Sequence, residues 1–103
     1  MIRLQWTARI SRGKNQAAFQ WAKATAEHLK SKYPQILAIA AYEEHFGNVN
    51  TVHIFSDYDS LATLEFVEAQ YPSDAAFQDL FKKSNEAGLF IEGSIHGTLY
   101  QSL

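Results

Sequence analysis

The sequence of 103 residues has no cysteine, which removes disulfides, thiolate-ligated zinc and thiolate nucleophiles at once. Proline occurs twice and glycine five times, too sparsely for a collagenous or linker-like chain. No low-complexity tract or block of like charge argues for disorder. Nine basic residues stand against 11 acidic ones, a formal charge of −2. Proteins that hold a phosphate backbone neutralise it with clustered Lys and Arg, so no nucleic acid is expected as a partner. No apolar run approaches the ~20 residues of a membrane span, and Met1-Ile2-Arg3-Leu4-Gln5-Trp6 lacks a basic region followed by an apolar one. By absence of any address, the expectation is a cytoplasmic protein with no membrane partner. Residues 1–103 are expected to form a single domain, a size that supports one hydrophobic core.

What is present is pattern. Ile2, Leu4, Trp6, Ala8 and Ile10 alternate with Arg3, Gln5, Thr7 and Arg9, the period of a strand buried on one face. After a turn at Ser11-Arg12-Gly13-Lys14-Asn15, the residues Ala18, Trp21, Ala22, Thr25, Leu29 and Tyr33 fall near helical spacing. Pro34 ends that helix. Two antiparallel strands, roughly 36–45 and 51–57, flank Gly47-Asn48-Val49-Asn50, residues suited to the positive φ of a hairpin loop. The second strand runs straight into a helix beginning near Asp59. Tyr71-Pro72-Ser73 breaks that helix, Asp74 caps a further piece through Phe77, Leu80 and Phe81, and Gly88 stops it. Alternation from Ile91 to Tyr100 predicts a closing strand, weakened by Gly93 and Gly97.

The predicted order, βαββαβ, is the α+β arrangement of ferredoxin-like domains: a four-stranded antiparallel sheet with helices on one face. The other face is the functional question. In the outer strands it carries Arg3, Gln5, Thr7, Arg9, Glu92, Ser94, His96, Thr98 and Tyr100. For the middle strands a one-residue change of register exchanges His53 and Phe55 with Val52 and Ile54. An RNA-recognition sheet would display aromatics in a basic, glycine-containing motif, and the third strand, Val52-His53-Ile54-Phe55-Ser56-Asp57, has no such motif. A face left to solvent and a face hidden in a homodimer both remain open.

The run from His53 through Asp57, Tyr58, Asp59, Ser60, Leu61 and Ala62 to Glu65, preceded by a polar hairpin and followed by aromatic helices and a last strand, resembles the dimeric α/β-barrel superfamily. Within it the chain is most similar to NIPSNAP-type and antibiotic-biosynthesis-monooxygenase-like small barrel domains, with Tyr58 to Ala62 the most specific part. The resemblance implies a homodimer of ferredoxin-like domains, each with a pocket between sheet and helices. That superfamily includes cofactor-independent monooxygenases, haem-degrading enzymes, polyketide cyclases and lactone isomerases, so fold does not choose the reaction. The Asn, Trp and His set of the haem-degrading members is not found: the corresponding region has Phe66, Tyr71, Phe77 and Phe81 but no Trp or His.

Among individual residues, His53, mid-strand beside apolar neighbours, is the candidate acid or base. Trp6, Trp21, Tyr42 and Phe55 are candidate walls for a planar ligand. His45 and His28 read as surface residues. His45, His53, His96 and Glu44 show no recognised ligand spacing, so no metal is expected, and no resident cofactor is expected either. The function expected is a homodimer that binds a small apolar or aromatic molecule, acting as a cofactor-independent monooxygenase- or isomerase-like enzyme. The alternative is a non-catalytic ligand-sensing or protein-interaction module of the same fold.

Overall fold

A computed structural model describes residues 1–103. The alternation of the first residues produces strand β1 (Ile2–Arg9), which lies inside the sheet between β3 (Thr51–Tyr58) and β4 (His96–Gln101). Strand β2 (Ala38–Glu43) pairs with the far side of β3, giving the order β2-β3-β1-β4 with every pair antiparallel. Pairing of Thr7 with His53 and of Trp6 with Ile54 fixes the register that the sequence left open.

Helix α1 (Asn15–Lys32) buries Ala18, Trp21, Ala22, Thr25, Ala26 and Leu29, a single stripe at steps of three and one. It ends at Tyr33, before Pro34, with Lys30 and Lys32 in the last turn, where cations suit the negative end of the helix dipole. Helix α2 (Leu61–Glu68) starts where the Ser60 hydroxyl accepts the Thr63 N–H at 3.2 Å. A short 3₁₀ turn, Tyr71–Ser73, follows, and then α3 (Ala75–Ala87), capped by the Asp74 carboxylate, which accepts the Phe77 N–H at 3.1 Å. Gly88, at φ 61°, closes α3 in the left-handed conformation that glycine adopts without steric cost.

The fold is therefore ferredoxin-like, α+β, with the helices packed on one sheet face. Two apolar clusters join the layers. One gathers Ala8, Trp21, Ala22, Val52 and Ile54, and the other gathers Ile2, Leu29, Tyr33, Tyr58, Leu64, Val67 and Phe77. Each such large apolar side chain stabilises the fold by about 1.5–3 kcal/mol on burial.

The closing strand departs from its predicted extent. Ile91–Ile95 alternates in sequence, yet it forms a turn in which Gly93 takes φ 79° and the Ser94 N–H bonds the Ile91 carbonyl at 3.1 Å. The Ser94 hydroxyl also donates to Ile91 O at 2.6 Å and accepts the Arg9 N–H at 3.1 Å. Local bonds of this kind compete with a strand ladder, so β4 begins only at His96, and Ile91 and Ile95, expected to face the helices, are exposed.

Candidate functional site

Successive residues of a strand point to opposite sides, so the sheet divides the candidate residues between two places. On the helical side, Leu4 and Trp6 of β1, Ile54, Ser56 and Tyr58 of β3, and Trp21 and Thr25 of α1 line a hollow of about 230 Å³, which Tyr71, Phe77, Phe81 and Glu68 close from the α2–α3 side. The ring centres of Trp6 and Trp21 lie 5.5 Å apart, and Phe81 meets Trp21 edge-on at 5.5 Å. Trp21 is anchored because its Nε1–H donates to the Leu80 carbonyl at 2.6 Å, tying α1 to α3.

The lining is apolar except for Thr25, Ser56, the two phenols and Glu68. Burial pushes the Tyr58 phenol above the ordinary tyrosine range, and burial together with the nearby Tyr58 pushes Tyr71 far above it. Both therefore stay protonated as donors. Glu68 lies at the rim, where partial burial and the neighbouring Glu65 charge raise its carboxyl from the usual range.

On the other, helix-free side, cross-strand neighbours form polar rows. Arg9 opposes Thr51, Thr7 opposes both His53 and His96, Gln5 opposes Phe55 and Thr98, and Arg3 opposes Asp57 and Tyr100. His53 is the centre of the network. Its Nε2–H donates to Glu44 Oε1 at 2.7 Å, since a carboxylate only accepts. That leaves Nδ1 to accept from the Thr7 hydroxyl at 2.9 Å and the Gln5 amide at 3.1 Å. Gln5 is itself held by the Tyr100 hydroxyl, which donates to its Oε1 at 2.7 Å.

The hairpin supports the other end of this network. The Asn48 N–H donates to the second Glu44 oxygen, and Gly47, at φ 96°, leaves the space that the carboxylate occupies. The bonds from His53 and then Asn48 hold the Glu44 carboxyl below its usual range. Further along, Arg3 bridges Asp57 through two bonds of 2.7 and 3.0 Å and holds that carboxyl low. Tyr42 and Phe55 meet edge-to-face at 5.6 Å.

The four aromatic residues expected to share a pocket thus do not share one. Trp6 and Trp21 are under the helices, whereas Tyr42 and Phe55 are on the open face with His53. Strand alternation is the reason: Phe55 and His53 are odd-numbered partners of Gln5 and Thr7, and Ile54 is the partner of Trp6. His53, the candidate acid or base, has both ring nitrogens engaged and the sheet between it and the hollow. His45 is exposed, bonded only to Glu43 at 3.2 Å. No three His, Asp or Glu side chains gather as metal ligands do.

Sequence reasoning missed two groups. Tyr58, Tyr71 and Glu68 supply the polar part of the hollow, and the only sequence signal was the inward phase of Ser56 and Tyr58 in an otherwise apolar strand face. The second group surrounds Asp74. His28, read as a surface residue, bonds the buried Asp74 carboxylate at 2.9 Å, the Tyr33 hydroxyl donates to it at 2.7 Å, and Lys32 lies at 3.3 Å. Burial alone would raise the Asp74 carboxyl, but the bonds from His28, Tyr33, Phe77 N–H and Lys32 outweigh it and hold the group well below the carboxylate range.

A family model described as NIPSNAP matches residues 7–98 of the chain. Among curated proteins nothing matches it. A NIPSNAP domain protein from Burkholderia xenovorans superposes with a TM-score of 0.76 at 14% identity, covering 100% of this chain and 95% of that one. A structure described as an antibiotic biosynthesis monooxygenase gives 0.74 at 13% identity, covering 100% and 99%. A Bacteroides fragilis protein of unknown function, described as dimeric and ferredoxin-like, gives 0.72 at 15% identity, covering 98% and 95%. At such identities the likeness shows the fold.

Proposed function

The chain belongs to the NIPSNAP family, and from that premise we propose that it binds a small, largely apolar aromatic molecule in the hollow between sheet and helices. The observation that carries this reading is the hollow itself. It is roughly the size of one or two fused rings, walled by Trp6, Trp21 and Phe81, and fitted at one end with the protonated phenols of Tyr58 and Tyr71. Apolar walls with a few placed polar groups are what orient a small ligand. A ligand oxygen would accept from the phenols while its rings stack on the indoles.

Because Trp6 and Trp21 are the only two tryptophans in the chain, intrinsic fluorescence reports directly on occupancy. Titration with naphthol and with a naphthoquinone should quench it saturably, and Ser56→Leu, which fills the hollow from β3, should abolish saturable quenching while leaving the thermal transition cooperative. Saturable quenching that survives Ser56→Leu would place the ligand elsewhere.

A second reading, turnover of the bound molecule without a resident cofactor in the manner of a monooxygenase or isomerase, is favoured by Glu68. It is the one carboxyl lining the hollow, and its proton affinity is raised, as a general acid or base requires. In this reading Glu68 replaces His53 as proton carrier, and Glu68→Gln should bind the ligand but not turn it over.

The same proposal includes a homodimer in which two open sheet faces pack together as an α/β barrel. Support comes from the exposed Tyr42 and Tyr100 on that face and from a structural neighbour described as dimeric. Light scattering at micromolar concentration should give twice the chain mass, and Phe55→Arg should return it to that of one chain. A single-chain mass for the unmodified protein would remove the dimer from the proposal.

A further inference from the structure

The side-chain hydrogen bonds of the open face run in one direction. The Tyr100 hydroxyl on β4 donates to Gln5 Oε1 at 2.7 Å, and the Gln5 amide on β1 donates to His53 Nδ1 at 3.1 Å. His53 Nε2–H, on β3, then donates to Glu44 at 2.7 Å, one residue past the end of β2. The row crosses the whole sheet and ends on a carboxylate, which can only accept. The Thr7 hydroxyl adds a second hydrogen to Nδ1 at 2.9 Å. With 12% of the His53 side chain exposed, its partners are protein groups rather than water.

A proton added at Nδ1 therefore meets two donors. To accept it, the Gln5 amide must turn over, so that Oε1 faces His53 and the NH2 faces the Tyr100 oxygen. The Thr7 hydroxyl must turn as well. The Tyr100 hydrogen is displaced outward, off the end of the row. In a single chain it meets water, because Tyr100 is exposed. Under a second sheet it becomes a buried donor without a partner, which is unfavourable.

Charge acts in the same direction. Around His53 stand Glu44 beyond β2, Tyr42 on β2, and on β1 Arg9, which makes no ion pair. His96, across Thr7 on β4, bonds the Ser94 carbonyl and takes no part in the row. Farther along, Arg3 and Asp57 neutralise each other. With His53 uncharged, Arg9 and Glu44 balance. A proton on His53 leaves each face positive, and the two faces oppose each other in the dimer.

We propose that this row makes the homodimer sensitive to pH: two copies hold together while His53 is uncharged and separate when it takes up a proton. The inference rests on the face-to-face homodimer proposed above. Its sign follows from the preferences just described. The dimer favours the uncharged ring and the separate chains accept the charged one, so association is strongest at high pH and is lost as pH falls. Two His53 rings per dimer take up two protons, so Kd can rise by up to about 100-fold per pH unit.

The test is sedimentation equilibrium of the full chain from about pH 8 to about pH 5.5, the interval in which histidine side chains gain charge. Kd should weaken by at least about tenfold, with the far-UV circular dichroism unchanged. His53→Gln, uncharged throughout, should hold Kd constant, and His96→Gln should follow the unmodified chain. A Kd independent of pH, a pH dependence that persists in folded His53→Gln, or dissociation only with loss of helical signal would each overturn the proposal and leave the dimer standing. A single chain already at about pH 8, before histidines charge, would remove the dimer and the proposal with it. If His53→Gln does not fold, the ring ¹⁵N resonances decide: an uncharged His53 in the separated chains overturns the inference.

Discussion

Replacing Asp74 by alanine tests how the helical layer is held together. Asp74 is 1% exposed, and its two oxygens serve four groups: the Phe77 N–H, the Tyr33 hydroxyl, His28 and Lys32. Loss of the helix cap costs about 1 kcal/mol. The Tyr33 hydroxyl, on a side chain left 2% exposed, would lose its acceptor, at about 1–3 kcal/mol. The partly exposed His28 and Lys32 add about 0.2–1 kcal/mol each. Asp74→Ala should therefore destabilise the chain by about 3–4 kcal/mol, which for a domain near 100 residues lowers Tm by roughly 15–25 °C.

Asp74→Asn keeps an oxygen for the Phe77 N–H and should lose less than half of that. Tyr33→Phe in the Asp74→Ala background should cost little more, because the stranded hydroxyl is then gone. Thermal and urea unfolding followed by circular dichroism measure all four proteins. An Asp74→Ala protein that melts within about 5 °C of the unmodified chain, against the fall per kcal/mol expected for its size, would refute the account of Asp74 as the clasp between α1 and α3. The variant bears on function too, since the 3₁₀ turn and α3 carry Tyr71, Phe77 and Phe81 into the hollow.

Stability should fall at both ends of the pH range. Asp74, held low in the folded state, contributes in full above the unfolded carboxylate value of ~3.9, and that contribution is lost as pH falls through the folded value. Tyr33, pushed up to about 12 by burial and then by Asp74, contributes below its unfolded value of ~10 and loses that contribution as pH rises toward 12. Urea midpoints across pH, repeated in Asp74→Asn and Tyr33→Phe, check each limb. His53→Ala should leave naphthol quenching of Trp6 and Trp21 unchanged while lowering stability by about 1–2 kcal/mol, since Glu44, Thr7 and Gln5 lose a common partner; loss of quenching would show the sheet to be a poorer partition than its geometry implies. Gly47→Ala should destabilise by at least about 1 kcal/mol, because the added Cβ would meet Glu44 Oε2 at 2.6 Å and φ stands at 96°, and chemical denaturation reads it directly.

Much of this architecture was legible because it follows from period. β1 shows strict alternation, α1 has one apolar stripe, and Ser60, Asp74 and Gly88 mark helix ends through bonds made within a few residues. The face of His53 was not legible, since both phases of β3 mix apolar and polar residues and only the pairing of Thr7 with His53 decides between them. The alternation of Ile91 to Ile95 misled because a left-handed Gly93 and the Ser94 side chain bend the backbone without disturbing the pattern of side-chain types. Asp74 was readable as a cap, but its bonds to Tyr33 and His28 span 41 and 46 residues, and no local rule reaches that far. A pocket between sheet and helices was implied by the family resemblance, but its polar members escaped for the same reason: Tyr58, Tyr71 and Glu68 come from a strand end, a turn and a helix end, and converge only after the layers pack.

The register of β3 has a consequence for how the sequence can change over generations. Ile54, Ser56 and Tyr58 face the hollow while His53, Phe55 and Asp57 face the open sheet, so one strand writes both surfaces in alternate letters. Substitutions on one side can accumulate without touching the other. Deletion or insertion of a single residue within Thr51–Tyr58 would instead exchange the two surfaces downstream of it, placing a carboxylate among the indoles and a phenol on the outside. Lineages of this chain should therefore vary in length at the turns and hold β3 at constant length even where its residues differ.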